Sequence, residues 1–282
     1  MLSIILPARN EAASLEILLP KIKAICPQAE IIVVNDASDD ETASTVERHG
    51  AKLISHAYRL GNGAAIKSGA RAACGGTFLF MDADGQHQPE EIPRLLEKLA
   101  EGYDMVVGAR TSNSQAGVHR ATANRFYNWL ASYIAGQKIA DLTSGFRAVR
   151  AERFKKFLYL LPNGFSYPTT ITMSFFRAGF PVAYIPIFAP KRIGNSHLRL
   201  VKDGVRFLLI IFKIGTLYSP LKLFVPISAA FFTTGFGYYC HTFLTEHRFT
   251  NMSALLFITS LLVFLIGLVS EQITMLIYKD SE

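Results

Sequence analysis

Short apolar runs alternate with stretches of helical periodicity along the first 108 residues. The apolar runs predict β-strands at residues 2–6, 31–35, 52–55, 77–81 and 104–108. The stretches between them predict helices near residues 12–25, 41–49, 62–74 and 90–101. Strands and helices that alternate at this spacing predict an α/β fold, with a mostly parallel sheet covered by helices on both faces.

The last sixty residues have a different pattern, two long stretches without charged side chains. Residues 223–243 and 249–270 contain no Lys, Arg, Asp or Glu, and a helix needs roughly 20 apolar residues to cross the hydrocarbon core of a bilayer. We therefore predict transmembrane helices at residues 221–244 and 249–275, joined by a short link into a hairpin. A buried hairpin in a soluble core is the alternative interpretation.

Basic residues flank the predicted hairpin unevenly. Four of them lie at its outer ends, Arg206, Lys213, Lys222 and Lys279. The link carries only Arg248, beside Glu246. Because cytoplasmic flanks are enriched in Lys and Arg, we predict a cell-membrane protein with two spans and a cytoplasmic N-terminal domain.

Residues 198–215 lead into the hairpin with an amphipathic pattern. Their charged side chains fall on one helical stripe, and Leu, Val, Ile and Phe occupy the rest. This pattern predicts a helix that lies in the membrane surface. A helix packed on a soluble core would show the same pattern.

Charge is distributed unevenly along the 282 residues. Residues 1–104 hold 10 Lys and Arg against 15 Asp and Glu, a net of −5. Residues 105–222 hold 17 against 3, a net of +14, and residues 223–282 hold 2 against 4, a net of −2. The overall charge of +7 therefore combines an acidic first part with a strongly basic middle, which favours anionic partners for the middle segment.

Cysteine use narrows the function classes further. The three cysteines, Cys26, Cys74 and Cys240, form no CxxC pair and no His/Cys cluster. This excludes a disulfide scaffold and a structural zinc site, and it indicates a reducing compartment. The N-terminal run MLSIILPARNE lacks a basic flank, so we interpret it as a strand rather than a cleaved signal.

The segment after the fourth predicted strand, Asp82-Ala83-Asp84-Gly85-Gln86-His87, combines carboxylate and amide oxygens in one short turn. In parallel sheets, ligands bind beyond the carboxyl ends of the strands. Oxygen ligands suit Mg²⁺ or Mn²⁺ shared with phosphates, so we predict a metal site at Asp82, Asp84 and Gln86. A surface turn that caps the following helix is the alternative.

Two further loops carry candidate chemistry. Asp36 follows the second strand, where its carboxylate can accept a hydrogen bond from a nucleobase N–H. The segment Leu60–Lys67 is a glycine-containing loop that enters a helix, a place where backbone N–H groups can meet phosphate. It fails as a dinucleotide fingerprint because Ile66 stands at the third glycine position.

Several motifs occur together in one order: LPARNE, VVNDASDDET, GNGAAIKSG, FMDADGQHQPEEI, VGAR, DLTSGFRAVR and KRIGNSH. In this order and spacing, residues 2–215 resemble the inverting family 2 glycosyltransferases with a GT-A, Rossmann-like fold. The resemblance is to polyprenyl-phosphate glycosyltransferases of the dolichyl-phosphate mannose synthase kind. It implies a GT-A domain at residues 1–197, followed by the interfacial helix at 198–215 and the hairpin.

The resemblance also implies an activity. It is metal-dependent, inverting transfer of a single sugar from a GDP- or UDP-linked donor to a polyprenyl phosphate at the cytoplasmic membrane face. The implied cofactor is Mg²⁺ or Mn²⁺, and the implied partners are the nucleotide-sugar, the polyprenyl phosphate and membrane lipids. A nucleic-acid partner is not expected, and formation of a homo-oligomer stays open.

Roles are carried over residue by residue. The nucleotide-sugar is implied to contact Pro7, Arg9, Glu11, Asp36, Asp82, Ala83, Asp84, Gln86, Arg110, Arg192 and His197. Catalytic roles are implied for Asp84, Arg147 and Arg192, and contact with the lipid phosphate for Arg120, Arg125, Ser144 and Arg147. Arg9, Asn35 and His197 depart from the residues common in the family, which affects base and sugar preference rather than reaction class.

Arginine suits a reaction between two phosphate-bearing substrates. Its planar guanidinium binds phosphate oxygens through two parallel hydrogen bonds and stays charged. Residues 142–202 contain one acid, Glu152, among ten basic residues. From this set we select Arg147 and Arg192, because each adjoins a glycine-containing turn; the alternative is simple attraction to anionic lipid.

Two other functions compete with this interpretation. A processive polysaccharide synthase of the same superfamily would carry a QxxRW motif, whereas the only tryptophan, Trp129, lies in FYNWLAS. A nonenzymatic scaffold that binds anionic lipid explains the charge and the hairpin but gives no reason for the segment DADGQ.

Overall fold

The computed structural model describes residues 1–110, 118–164, 167–188, 209, 212–213 and 215–278, with the backbone alone for residues 118–124 and 278. The described chain divides into two compact units. The first comprises Met1–Leu130 and Gln137–Leu198, and the second comprises Ala131–Gly136 and Arg199–Glu282. The predicted domain limits at residues 197 and 215 stay predictions, and most of segment 198–215 lies outside the described residues.

A seven-stranded sheet forms the centre of the first unit. Its strands are β1 (Leu2–Ala8), β2 (Glu30–Asn35), β3 (Lys52–Ser55), β4 (Thr77–Phe80), β5 (Met105–Arg110), β6 (Arg147–Arg150) and β7 (Val182–Ile187). Their order across the sheet is β3-β2-β1-β4-β6-β5-β7. Only β6 runs antiparallel to its neighbours β4 and β5, so the predicted mostly parallel sheet is confirmed.

Helices connect the strands of the first unit. They are α1 (Ala12–Ile25), α2 (Thr42–Arg48), α3 (Asn62–Ala72), α4 (Ile92–Ala100), α5 (Val118–Ala135, which continues into the second unit), α6 (Ala151–Lys155) and α7 (Tyr167–Arg177). A short 3₁₀ turn at Pro89–Glu91 precedes α4. The helices predicted near 12–25, 41–49, 62–74 and 90–101 are therefore present.

Strand β1 shows how alternation distributes the core between both faces of the sheet. Ile4 and Leu6 are fully buried in one cluster with residues of α1 and α4. Ile5 points to the opposite face, where α3 approaches so closely that a Cβ on Gly69 would lie 2.4 Å from Ile5 Cγ2. Each such buried side chain contributes roughly 1.5–3 kcal/mol. The predicted helices on both faces are confirmed.

The second unit contains two long apolar helices, α8 (Pro220–Glu246) and α9 (Asn251–Tyr278). Each is long and apolar enough to cross a membrane by length and composition. The chain reverses at His247, whose left-handed backbone (φ 50°) lets its N–H donate to Phe243 O at 3.1 Å. The helices overlap the spans predicted at 221–244 and 249–275, and the membrane crossing stays a prediction.

Small residues set the approach of the two helices. Ser228 Oγ donates to Ser260 O and Ser260 Oγ donates to Ser228 O, each at 2.9 Å. A Cβ on Gly235 would lie 2.9 Å from Leu256 Cβ. Outward-facing side chains such as Leu262 (54 % exposed) and Val269 (60 %) form an apolar surface, as expected of a membrane hairpin.

Candidate active site at the carboxyl edge of the sheet

Five strands bring their ends to one edge of the sheet. The parallel strands β1, β2, β4 and β5 end there, and the antiparallel β6 begins there, with Arg147 paired to Phe80 and Val107. The segments that follow or precede these ends carry most of the predicted site residues. The topology therefore brings together the loops that begin at Arg9, Asp36 and Asp82, with Arg110 at the end of β5.

The Asp82–His87 loop turns sharply after β4. Gly85 adopts a left-handed conformation (φ 75°) that favours glycine, and Gln86 N–H donates to Asp84 Oδ1 at 3.1 Å. Ala83 is buried, which anchors the loop to the core between its two carboxylates. The Asp82 side chain keeps 36 % of its surface exposed, so carboxylate oxygen is presented at the sheet edge.

His87 is the last residue of this loop, and its side chain lies in the core. Its ring is buried and stacks on Phe146, with 5.0 Å between ring centres and 15° between planes. Asp82 N–H donates to its Nδ1 at 3.1 Å. Burial lowers the pKa of His87 to about 4 against the opposing effect of the Asp84 charge, so the ring is neutral near pH 7.

Gly145 lies directly against the Asp82 carboxylate. A Cβ at this position would be 2.7 Å from Asp82 Oδ2, closer than Cβ atoms approach other heavy atoms. A larger residue at this position would therefore have to displace the Asp82 carboxylate, because the TSGF segment packs against the first acid of the DAD segment.

Arg110 forms a bidentate ion pair with Asp141. Its Nε lies 2.8 Å from Oδ2 and its Nη2 lies 3.0 Å from Oδ1, and Nη2 also donates to Thr143 Oγ1 at 2.6 Å. Burial alone would raise the pKa of Asp141, but the hydrogen bonds and charge of Arg110 hold it below its usual range. The guanidinium of Arg110, which is predicted to contact the donor, is therefore already bonded to an internal carboxylate.

Asp141 was missed by sequence reasoning. One signal could have found it, since residues 105–222 contain only three acids and Asp141 lies two residues before the Thr-Ser-Gly turn. A lone acid in a basic segment is a natural partner for a buried or half-buried arginine.

Arg147 lies in the interior, with its side chain fully buried. Nη1 donates to Pro168 O and Thr172 Oγ1, each at 3.2 Å, and Nη2 donates to Ser144 O. Nε has no hydrogen-bond partner among the described residues. Burial lowers the pKa of Arg147. A phosphate could reach this guanidinium only if the packing changed, so direct phosphate contact by Arg147 stays a prediction.

Ser144 is also buried, and its Oγ donates to Gly108 O at 2.6 Å. Its hydroxyl therefore ties the segment before β6 to β5. Its predicted contact with lipid phosphate would require this bond to break.

Asp36 is the centre of a hydrogen-bond network at the end of β2. His56 Nδ1 and Leu60 N–H lie 2.8 Å from Oδ1, and Gly61 N–H lies 2.8 Å from Oδ2. His56 Nε2 lies 2.9 Å from Ser68 Oγ. Burial would raise the pKa of Asp36, but these hydrogen bonds outweigh burial and lower it. The carboxylate orients the 56–61 segment, and its predicted contact with a base is untested.

The glycine loop before α3 does not offer its N–H groups to phosphate. Gly63 N–H donates to Gly164 O at 3.1 Å and Ala64 N–H donates to Asn163 O at 2.9 Å. Lys67 Nζ adds a bond to Leu161 O at 3.0 Å. The interpretation of this helix start as a phosphate site is therefore wrong for Gly63 and Ala64, because a neighbouring loop already uses those donors.

The loop after β1 is hydrogen-bonded to the loop after β2. Asn10 N–H donates to Ser38 Oγ and Glu11 N–H donates to Thr42 Oγ1, each at 3.0 Å. Pro7 is buried in β1, whereas Arg9 is exposed. Arg9 and Glu11 therefore lie in the same loop cluster as Asp36, and their contact with the nucleotide-sugar stays a prediction.

Three predicted contacts cannot be placed. Arg192 and His197 lie outside the described residues, as does the side chain of Arg120. Arg125 is exposed on α5.

The oxygen donors of the Asp82–Gln86 loop fit a divalent ion that is shared with a ligand. Within the described parts of the chain, no group of three or more His, Cys, Asp or Glu side chains could hold a metal alone. Mg²⁺ commonly takes one or two carboxylates from a protein and completes its shell with phosphate oxygens and water. Asp82, Asp84 and Gln86 match that donor set in chemistry.

The chain thus combines an acidic loop at the carboxyl edge of a mixed α/β sheet with an apolar helical hairpin. Residues 3–158 match the model of glycosyl transferase family 2, and residues 219–276 match the GtrB C-terminal hairpin. The chain belongs to glycosyl transferase family 2 and is a glycosyltransferase. The family match removes the nonenzymatic scaffold as an alternative.

Curated relatives act on polyprenyl phosphates. The chain is 29 % identical over 209 residues to an undecaprenyl-phosphate mannosyltransferase from Micrococcus luteus, covering 69 % of this chain and 86 % of the relative. It is 28 % identical to a polyprenol monophosphomannose synthase from Mycolicibacterium smegmatis, covering 69 % and 80 %. An undecaprenyl-phosphate 4-deoxy-4-formamido-L-arabinose transferase from Pectobacterium carotovorum is 38 % identical over 52 % of this chain, and the match spans about half of that relative's length (48 %).

A solved structure shares the fold. Glucosyl-3-phosphoglycerate synthase from Mycobacterium tuberculosis, solved with Mn²⁺ and UDP-glucose, superposes with a TM-score of 0.63 at 21 % identity. The match covers 76 % of this chain and 78 % of that one. The GT-A fold is thereby confirmed.

Proposed function

We propose that this chain transfers one sugar from a UDP- or GDP-linked donor to a polyprenyl phosphate at the cytoplasmic membrane face, with inversion at the anomeric carbon. The observation that carries this proposal is the combination of a family 2 domain at residues 3–158 with a membrane hairpin at 219–276 in one chain. A lipid acceptor explains why a transferase domain is attached to such a hairpin. The relatives that act on polyprenyl phosphates support the same acceptor.

The reaction is a single displacement. An oxygen of the acceptor phosphate bonds to the anomeric carbon while the bond from that carbon to the donor diphosphate breaks, and the nucleoside diphosphate leaves with the electron pair. The acceptor phosphate is already ionised near neutral pH, because its second pKa is about 6. The chain therefore needs no strong general base, and its main task is to hold two anions together.

Asp82, Asp84 and Gln86 would hold Mg²⁺ or Mn²⁺ at the donor diphosphate. When bound, the ion neutralises charge on the leaving diphosphate. The Mn²⁺ and UDP-glucose bound by the structural neighbour support this assignment. Arg9, Glu11 and Asp36, which share one loop cluster, would contact the nucleotide.

Positive charge on the chain would lower the repulsion between the two substrates. Arg192 and Arg110 are assigned to the donor together with the polar side chain of His197, and Arg120 and Arg125 are assigned to the lipid phosphate. Arg110 keeps 28 % of its side-chain surface exposed while it is paired with Asp141.

A panel of labelled donors tests the proposed function. Membranes containing the full chain are incubated with labelled UDP- and GDP-sugars, with and without undecaprenyl phosphate, and label in the extracted lipid is counted. We expect label from one donor to enter the lipid only when undecaprenyl phosphate is present. Label in long polysaccharide instead would support a processive synthase, and label in neither fraction would overturn the proposal.

The orientation is tested by thiol labelling. Cys74 is exposed in the transferase domain, and Arg248 lies in the link between α8 and α9. In a chain with Cys26→Ala and Cys240→Ala, we expect an impermeant maleimide to label intact cells through Arg248→Cys but not through Cys74. The reverse pattern would contradict a cytoplasmic catalytic domain.

A further inference from the structure

The backbone of Asp82 is held by a side chain five residues further along. Asp82 N–H donates to His87 Nδ1 at 3.1 Å, so this nitrogen acts as an acceptor and the ring carries its proton on Nε2. This hydrogen bond joins the first and last residues of the six-residue Asp82–His87 loop. The position of the first acid thus depends on the position of the imidazole.

The imidazole is itself fixed by the segment before β6. His87 stacks on Phe146 with 5.0 Å between ring centres, and Phe146 is fully buried. Phe146 O accepts from Gly108 N–H at 2.9 Å, which ties it to β5. The stacking of His87 on Phe146 therefore fixes the acidic loop relative to β5 and β6.

The residue before Phe146 limits the Asp82 side chain. Gly145 leaves space for the carboxylate that a Cβ, at 2.7 Å from Oδ2, would fill. One dipeptide, Gly145-Phe146, thus controls both the carboxylate of Asp82 and, through His87, its backbone. No sequence rule links DADGQH to TSGF, because they lie about sixty residues apart.

We infer that His87, held by Phe146, is a positioning residue that fixes the Asp82–Gln86 loop for a divalent ion and the donor diphosphate. This inference rests on the proposed function, since it assigns that loop to metal and donor. A loop that is ordered before the ion arrives loses less conformational entropy on binding. His87 itself makes no contact with the ion and acts through Asp82.

Asn and Leu at position 87 form a matched pair that isolates the hydrogen bond. Asn places Oδ1 where His places Nδ1, three bonds from Cα, and can accept from Asp82 N–H. Leu has nearly the same shape but offers no acceptor. Both substitutions remove the ring, so they lose the stacking on Phe146 equally.

The measurement is Mn²⁺ binding to the purified full chain in detergent, monitored by the EPR signal of free Mn²⁺ at saturating UDP or GDP relative to the same solution without the chain. We expect His87→Leu to weaken Mn²⁺ binding about 10- to 100-fold, as loss of outer-shell partners commonly does, and His87→Asn, which keeps the acceptor but not the stacking, to recover part of it. His49→Gln is the control, because His49 lies at the end of α2 and away from the acidic loop. It should leave Mn²⁺ affinity unchanged.

The outcomes separate the inference from the proposed function. If the native chain binds no Mn²⁺ with either nucleotide, the proposed metal-dependent function is overturned. If it binds Mn²⁺ and the Asn and Leu variants have equal affinities, only the role of His87 is overturned. Should His87→Leu fail to fold, Phe146→Leu replaces it, and unchanged Mn²⁺ affinity in folded Phe146→Leu would equally contradict the inference.

Discussion

Arg110 and Asp141 form a two-pronged ion pair, Nε to Oδ2 at 2.8 Å and Nη2 to Oδ1 at 3.0 Å, that ties the end of β5 to the segment before β6. The pair holds the Arg110 guanidinium near the acidic loop, and Asp141 compensates its positive charge. Asp82 and Asp84 in turn help to keep the pKa of Arg110 raised, against the effect of burial. The site therefore places the two acids of the Asp82–Gln86 loop near an arginine that is paired with an internal acid, Asp141.

Removal of Asp141 should destabilise the transferase domain. Asp141→Ala leaves Arg110 and Thr143 without their shared acceptor, and breaking a buried pair costs about 3–5 kcal/mol. Because Arg110 is 28 % exposed and can regain water, we expect about 2 kcal/mol, measured as a lower Tm by intrinsic fluorescence. Glu16→Gln removes an exposed ion pair with Arg48 (3.1 Å) and should change Tm little. Equal shifts for the two variants would contradict a special role for the pair.

A methyl group at position 145 should impair activity more than stability. In Gly145→Ala the new Cβ meets the Asp82 carboxylate at 2.7 Å and must displace it. We expect transfer to fall roughly 10- to 100-fold, since small misplacements of a reacting group can cost that much. Gly76→Ala is the matched control, because no atom lies within 4 Å of its Cβ. Full activity of Gly145→Ala would show that Asp82 can move without consequence.

Stability should depend on Asp36 in a pH-dependent way. Its hydrogen bonds from His56, Leu60 and Gly61 lower its pKa below the ordinary value of about 3.9. A lowered pKa in the folded state stabilises the fold fully above the unfolded value, and this stabilisation is lost as pH falls through the folded pKa. Thermal unfolding of the native chain and Asp36→Asn should differ most above about pH 5, and the difference should shrink as pH falls below the unfolded value of about 3.9 and through the lower folded pKa. A pH-independent difference would contradict this account.

The hairpin should depend on the reciprocal serine bonds between α8 and α9. Ser260→Ala removes the bond to Ser228 O and one partner of the Ser228 hydroxyl, which we expect to cost about 1 kcal/mol. Unfolding of the full chain by SDS in mixed micelles measures the effect. Thr233→Ala serves as control, because the Thr233 hydroxyl bonds only carbonyls of its own helix, Ala229 O and Ala230 O. A cost no larger than that of Thr233→Ala would refute the contribution of the serine pair.

Sequence pattern alone predicted the first five strands because each is an apolar run between helical segments. It missed β6 and β7 for identifiable reasons. Strand β6 is RAVR, only four residues with an arginine at each end, and Arg147 is buried against expectation for a charged side chain. Strand β7 contains Pro186, which weakens a strand signal.

The candidate site was predictable where it depends on strand ends and not where it depends on contacts between distant segments. Asp82 and Asp84 lie two and four residues after the end of β4, so their location follows from topology. The partnership of Arg110 with Asp141, thirty-one residues apart, depends on the antiparallel placement of β6. The same holds for Gly63 and Ala64, whose donors are taken by a loop a hundred residues further along.

The central claim is metal-dependent transfer of sugar to a polyprenyl phosphate by the Asp82–Gln86 loop. The most direct test compares the native chain with Asp84→Asn in liposomes that contain undecaprenyl phosphate, with the donor identified in the panel, in Mg²⁺ or Mn²⁺ and again in excess EDTA. We expect labelled lipid only from the native chain with metal, and an Asp84→Asn chain that inserts and folds normally but gives none. Labelled lipid from Asp84→Asn, or from the native chain in EDTA, would contradict the account.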